Sequence, residues 1–309
     1  MTTVVNQPTG GAVPVQTVPA KPKPKAVKGA VGDTLFSGFS HAFLVVWGIL
    51  VVYPLLWVVL SSFKDDKQII RHPLSLIPSS LHFDNFTRAW TKGHIGGFFL
   101  NTLIIVGGGV FLTMLLGSMA AYVLARYRFP GNRLIYYLFV SGLAFPTFMA
   151  LAPLFGIVTN LGLKNTFTGL ILVYIAYSLP FTVFFMTAFF KTLPNQIAEA
   201  AIVDGASHTR LFFQVMLPMA RSGLVSITIF NIVGQWNQYL LPVAIMQGAG
   251  AQEKWVLTQG IANISVSAGY QANWAALFAA LTLSILPMII VYAFFQRQIQ
   301  SGLTAGATK

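Results

Sequence analysis

Residues 199–218 read EAAIVDGASHTRLFFQVMLP, a stretch of mixed polarity set between two long apolar runs, Gly169–Phe190 and Leu224–Met246. Leu193-Pro194-Asn195 opens a short helix there, because proline fits a first helical turn, and Gly205 is suited to end it. Ile197, Ala200 and Ala201 share one face by three- and four-residue spacing, and Glu199 stands near the helix start, where the dipole favours an acid. Ser207 then caps a second helix whose Leu211, Phe212, Val215 and Met216 form an apolar stripe before Leu217-Pro218 leads back into apolar sequence. The segment predicts a compact knob of two short helices bent at Asp204-Gly205-Ala206.

What lies around the knob is far from a soluble domain. Of 309 residues, 55% are hydrophobic and 8% charged, against a usual charged share of about 25%, and the mean hydropathy is +0.71. A spanning helix needs about 20 mainly apolar residues, since the chain must satisfy its own backbone in hydrocarbon. Six stretches qualify: Ala42–Leu60, Phe98–Ala125, Leu134–Val158, Gly169–Phe190, Leu224–Met246 and Ala272–Phe295, none containing Asp, Glu, Lys or Arg. The expected fold is an all-α polytopic membrane protein with six transmembrane helices. Pro54, Pro146, Pro153, Pro180, Pro242 and Pro287 fall within the runs and read as kinks, not breaks.

Six spans put both termini on one side. Twelve basic residues fall there (Lys21, Lys23, Lys25, Lys28, Arg126, Arg128, Arg133, Lys191, Arg210, Arg221, Arg297, Lys309) and seven on the other (Lys64, Lys67, Arg71, Arg88, Lys92, Lys164, Lys254), so the first side is expected to be cytoplasmic. Residues 1–33, with their PAKPKPKAVKG core, read as a disordered cytoplasmic tail. The remainder, 34–309, reads as one six-span membrane domain, with the knob in a loop at about 191–221 and a tail at 296–309. The first apolar run is long and begins near residue 42, unlike a cleaved leader, so it is expected to be retained.

Several function classes lose support. The chain has no cysteine, and its five histidines make no metal-ligand cluster. All seven acids, Asp33, Asp65, Asp66, Asp84, Glu199, Asp204 and Glu253, fall outside the runs, which argues against a proton relay. No Gly-Lys dipeptide occurs, so there is no phosphate-binding loop of the GxxxxGK type, and any ATPase must be another subunit. The net charge of +12 is spread over several loops without a nucleic-acid motif, and topology with anionic lipid accounts for it.

The pattern E-A-A-x-x-D-G-A followed by L-P resembles the coupling loop of ABC importer permeases. Ala120–Arg133 (AAYVLARYRFPGNR), Leu161–Thr166 (LGLKNT), Trp236–Pro242 (WNQYLLP) and the tail Gln296–Ala307 resemble the carbohydrate-uptake branch, so the likeness covers most of residues 40–309. Within that branch the chain is most similar to the second permease subunit of maltose-type importers. It departs in its long N-terminal tail and in Gln238, where an acid is common after Trp-Asn.

The resemblance implies a type I importer transmembrane domain in a bacterial or archaeal plasma membrane. It implies a homologous second permease, an ATPase homodimer or heterodimer, an extracytoplasmic sugar-binding protein and a carbohydrate cargo, for which a di- or oligosaccharide is expected. The permease itself is then non-catalytic and binds no cofactor, ATP and Mg belonging to the ATPase. Glu199, Ala200, Ala201, Asp204, Gly205, Ala206, Leu217 and Pro218 take the coupling role, with Glu199 facing a basic residue of the ATPase. The tail residues Gln300, Ser301, Gly302, Leu303, Thr304, Ala305 and Gly306 are expected to touch the ATPase dimer.

In the fifth run Thr228, Asn231, Gln235 and Gln238 follow helical spacing, with Trp236, Asn237 and Tyr239 beside them. Amides in hydrocarbon need partners. Two readings stand equally: bonds to sugar hydroxyls with Trp236 or Tyr239 stacking on a ring, or bridges to the partner permease. Gly107, Gly108 and Gly109 read as a close-packing site, and Asp84–Trp90 as an interfacial helix capped by Asp84 with Trp90 at headgroup level. A secondary sugar transporter or channel is the alternative, and it would run without ATP; a membrane-embedded enzyme would need a clustered catalytic set that the runs lack.

Overall fold

The computed structural model describes residues 31–271 and 273–305, and the regular structure among them is helical. The tail assigned to residues 1–33 lies outside the described residues up to residue 30; Val31 already begins a helix. In order, the helices are α1 (Val31–Ser61), α2 (Asp66–Arg71), α3 (Asp84–Thr91), α4 (Ile95–Arg126), α5 (Asn132–Ala144), α6 (Thr147–Asn160), α7 (Phe167–Thr192) and α8 (Asn195–Val203). They continue with α9 (His208–Arg210), a π-helical turn at Leu211–Met216, α10 (Leu217–Met219), α11 (Arg221–Trp236), α12 (Leu240–Ile245), α13 (Leu257–Gln271) and α14 (Trp274–Ala305). The chain divides between Val52 and Tyr53. The first unit holds the N-terminal part of α1, where His41 Nδ1 lies 2.7 Å from the Ser37 carbonyl; all that follows concerns the second.

Among the described residues four helices are each long and apolar enough to cross a membrane, or up to six spans if each of two bent pairs counts as one. One pair is α5 with α6, meeting at 108°. Pro146 therefore breaks the third run, contrary to its reading as a kink. Phe145, just before it, is extended (φ −78, ψ 123), as the clash between a proline ring and the preceding residue demands. The fifth run also divides, with α11 ending at Trp236 and α12 starting at Leu240 before Pro242. Pro54, Pro153, Pro180 and Pro287 stay inside helices, as expected.

The centre of the bundle is the pair α4 and α7, which run parallel. Gly109 faces Tyr174 and Gly117 faces Thr182, so one register holds over two turns. A Cβ on Gly117 would sit 2.6 Å from Thr182 Cγ2, and one on Gly109 2.5 Å from Gln235 Oε1. These contacts let the backbones approach closely, as small residues do where lipid tails offer no hydrophobic drive. Gly107, by contrast, has open space at its Cβ position. Ile105, Leu170, Val183, Met186 and Phe190 are fully buried along the pair.

Helices α5, α11 and α13 pack antiparallel against this pair, and α14 antiparallel against α11. On α5, Gly142 meets Pro180 and Tyr136 meets Lys191, both on α7. On α11, Ser226 Oγ donates to the Gln298 carbonyl at 2.7 Å and Trp236 Nε1 to the Ser284 carbonyl at 3.3 Å, both on α14. Helix α13 was not expected. It packs on the start of α4, with Leu257 N donating to Thr102 Oγ1 at 2.8 Å and Gly260 pressed on the Phe98 ring.

The loop after α1 is tied down by buried polar groups. Asn85 Nδ2 donates to the carbonyls of Ser62 and Lys64 at 2.8 and 2.9 Å. Lys64 is itself buried, its ammonium donating to the Ser75 carbonyl, and burial pushes its pKa below the ordinary lysine value. Asp65 caps α2 by accepting from Gln68 N at 2.7 Å, and Asp66 Oδ1 caps α14 by accepting from Ala275 N at 2.8 Å. The helix expected at Asp84–Trp90 is present as α3, but Asp84 lies inside its first turn and Phe83 occupies the cap position without a side-chain bond. Asp84 instead pairs with Arg88 at 3.3 Å, one turn on.

Candidate functional site

The knob forms as two short helical pieces. Pro194 stands at the cap position, one residue earlier than the first-turn placement expected, and α8 ends at Val203. Gly205 has φ +81, the left-handed conformation that closes a helix at least cost in glycine. Its N–H reaches the Ile202 carbonyl at 3.0 Å, and the Ala206 N–H reaches the Ala201 carbonyl at 2.9 Å. This paired bond pattern is the Schellman closure. Ser207 Oγ then accepts from Arg210 N at 3.3 Å, capping the second piece as its spacing predicts.

The second piece carries its stripe inward. Leu211, Phe212 and Met216 are buried, with Phe212 against the rings of Tyr122 (5.1 Å) and Phe190 (6.5 Å). The Leu217 N–H bonds back five residues to the Phe212 carbonyl, and Pro218 follows with no N–H to give. Beyond Ala220 the axis turns by 79° into α11.

Helix α8 does the opposite. Ala198 and Ala201 rest against the core, while Glu199, Ala200, Ile202 and Asp204 are exposed and Val203 is 86% exposed. The expected face of Ile197, Ala200 and Ala201 is thus split, Ala201 turning inward. Glu199 is the fifth residue of α8, so it lies past the first turn where the dipole acts. The outward surface is mostly apolar, with Glu199 and, just past the helix end, Asp204 as its acids.

Two residues at the end of α4 hold the knob. Arg126 Nη2 donates to the Leu193 carbonyl at 2.7 Å, and its Nη1 donates to Asn195 Oδ1, so one guanidinium grips the entry to α8. Tyr127 OH lies 2.8 Å from His208 Nδ1 and takes hold of the second piece. Asn132 Nδ2 fixes the intervening turn through the carbonyls of Leu124 and Tyr127. Sequence reasoning marked this stretch only as a motif. The signal was the clustering of Arg126, Tyr127 and Asn132, polar groups at the mouth of an apolar helix.

Along α11 the polar residues separate. Asn231 and Gln235 are 4% and 3% exposed. Asn231 Nδ2 donates to Thr182 Oγ1 at 2.9 Å and Gln235 Nε2 to Ser178 Oγ at 3.1 Å, both on α7. Their partners lie within this chain, which neither reading from sequence named. Gln235 Oε1 is buried without a hydrogen-bond partner. Trp236 is buried and meets the Phe99 ring edge-on at 5.6 Å. Thr228 and Gln238 are half-buried, the Gln238 carbonyl accepting from Thr258, while Asn237 and Tyr239 are exposed.

The Leu161–Thr166 motif is held by bonds within the chain. In Leu161–Thr166, Asn165 has φ 56, its Nδ2 donates to the Gln247 carbonyl at 2.9 Å, and Thr166 caps α7. In the tail, the backbone of 300–305 continues α14; its side chains and Gly306 lie outside the described residues.

A family model described as a binding-protein-dependent transport system inner membrane component matches residues 113–304. The diacetylchitobiose uptake system permease protein NgcG of Streptomyces coelicolor is 50% identical over 277 residues, 90% of this chain and 90% of that one. The trehalose transport system permease protein SugB of Mycobacterium tuberculosis is 33% identical over 290 residues, 92% of this chain and 98% of that one. In fold, the chain matches one from the crystal structure of a bacterial ABC transporter involved in the import of the acidic polysaccharide alginate. The TM-score is 0.75 at 21% identity, covering 87% of this chain and 98% of that one.

Proposed function

The chain belongs to the family of binding-protein-dependent transport system inner membrane components, and from that premise we propose that it is one permease subunit of an ABC importer for a di- or oligosaccharide. The observation that carries the coupling half of this reading is the outward face of α8, held at its base and open on its far side. ATP and Mg are bound by separate ATPase subunits, whose closing grips α8 around Glu199, Ala200, Asp204, Gly205 and Ala206. Glu199 meets a basic residue there, and the tail 300–306 touches the same dimer. Movement of the knob passes through Arg126 and Tyr127 into α4, and through Leu217-Pro218 into α11. Such a switch needs contacts that differ between two states, and a rigid knob on one guanidinium provides them.

The knob end is the cytoplasmic one on the balance of basic residues, and both termini lie there. For the path, the exposed Asn237 and Tyr239, with Gln238 between them and Thr228 farther down α11, meet sugar and the second permease, while Asn231, Gln235 and Trp236 hold α11 in position. The 50% identity to a diacetylchitobiose permease makes an N-acetylated amino-sugar disaccharide the first cargo to test. The test is uptake of labelled sugars into proteoliposomes holding this chain, its partner permease, the ATPase and the binding protein. ATP-dependent uptake of one sugar class supports the reading; flux through this chain alone without ATP overturns it.

A further inference from the structure

At the knob end, the ends of α4, α5 and α7 enclose a basin of about 1040 Å³. Its wall carries four cations, Arg126, Arg128, Arg133 and Lys191, with Tyr127, Tyr136 and Tyr137 among them, and no Asp or Glu lines it. Among the described residues the ion pairs join only His82, Asp84 and Arg88, at the far end of α4, so no carboxylate neutralises the four. Arg126 Nε is buried without a hydrogen-bond partner although its two Nη atoms are engaged, and Lys191 Nζ rests 5.3 Å from the centre of the Tyr136 ring.

The height of the basin is set by the helices. Arg126 is the last residue of α4, Lys191 the last but one of α7, and Arg133 the second of α5. The cations therefore sit where apolar sequence stops, at the level of lipid headgroups, where tyrosine also collects. From the basin α5 leads towards the bilayer interior with an outward track of Leu134, Tyr137 and Leu138, 64%, 56% and 63% exposed.

We propose that this basin seats the phosphate headgroup of an anionic phospholipid, with an acyl chain lying along α5. Guanidinium groups bind phosphate oxygens in a two-pronged fashion, and tyrosine hydroxyls add donors. A zwitterionic headgroup would bring its ammonium against a wall of cations without an acid to receive it. A soluble phosphate would answer the charge but leave the α5 track uncovered. Because Arg126 and Tyr127 also hold the knob, a lipid seated here stiffens the base on which the knob moves.

The test is native mass spectrometry of the purified importer complex, titrated separately with phosphatidylglycerol, phosphatidylcholine and soluble glycerol phosphate. Phosphatidylglycerol is expected to bind preferentially. Arg128→Gln with Arg133→Gln should weaken it about 30-fold, at roughly fivefold for each cation near a charged headgroup. Arg128→Lys with Arg133→Lys should restore most of the affinity, and Arg221→Gln with Arg297→Gln, two cations outside the basin, should leave it within about twofold. Equal affinity for the zwitterionic lipid, glycerol phosphate binding as tightly as the lipid, or an equal loss in the Arg221/Arg297 variant would each overturn the proposal. Intact subunit composition in the same spectra shows that the variants still assemble.

Discussion

In the seam between α4, α7 and α11, Asn231 and Gln235 end on hydroxyls of this chain's own helix and Gly117 lies against Thr182, whereas α8 turns Ile197, Glu199, Ile202 and Val203 to the outside. Both amide nitrogens of the seam find their partners in the polypeptide itself. The knob has a buried inner side and an exposed, partly apolar outer one, the surface that the proposed coupling to another subunit would use. A change in the seam should therefore appear as lost stability, and a change in the knob as lost coupling in a protein that still assembles.

Gly205→Pro should break that division most sharply. A proline there cannot adopt φ +81 and removes the N–H that reaches Ile202, so uptake should fall by about 100-fold or more while the complex still assembles. The measurement is ATP-driven uptake beside the yield of intact complex. A milder probe is Ile202→Ser with Val203→Ser, both exposed: thermal stability should move by less than about 0.5 kcal/mol, yet ATPase co-purification should drop severalfold. Unchanged co-purification would show that α8 does not meet the ATPase.

On the seam the expected effects are energetic. Gly117→Val forces a side chain into Thr182 and should cost about 1–3 kcal/mol, seen as a lower unfolding midpoint in detergent. Asn231→Leu removes the bond to Thr182 and should cost about 1 kcal/mol, near the upper range for polar ties between membrane helices. The smallest effect belongs to Lys64. Its pKa in the folded chain lies below the unfolded value of 10.5, so the unfolded chain binds more protons between those two values and stability rises with pH across that window. The midpoint of the wild type should climb as pH approaches 10.5, and that of Lys64→Met should not.

Much of the knob was legible because its signals are local. Gly205 needs a left-handed turn and Ser207 offers a cap, and both act within four residues. The seam was half legible. Asn231 and Gln235 are four apart, and so are Ser178 and Thr182 on a different run; antiparallel helices bring such pairs together, and the matched spacing was a readable clue. What escaped depends on neighbours. Pro146 breaks its helix and Pro180 does not, yet each stands in an apolar run, and only the surrounding helices decide which freed backbone is satisfied. Helix α13 reads LTQGIANISVSAGYQ, too polar to look like a buried element, although it packs against both α4 and α14. Asp84 had the chemistry of a cap, but an arginine one turn later took it first.

The Asp66 carboxylate that closes the head of α14 is separated from the N–H it receives by 209 residues of sequence. On a ribosome adding about 5–20 residues each second, the acid waits roughly 10–40 s for its partner to be made. For that interval the segment after α1 lacks one of its fixings, and the start of α14 supplies it. Assembly of this end of the molecule therefore waits on the synthesis of α14, and a chain stalled before Ala275 leaves Asp66 without that N–H.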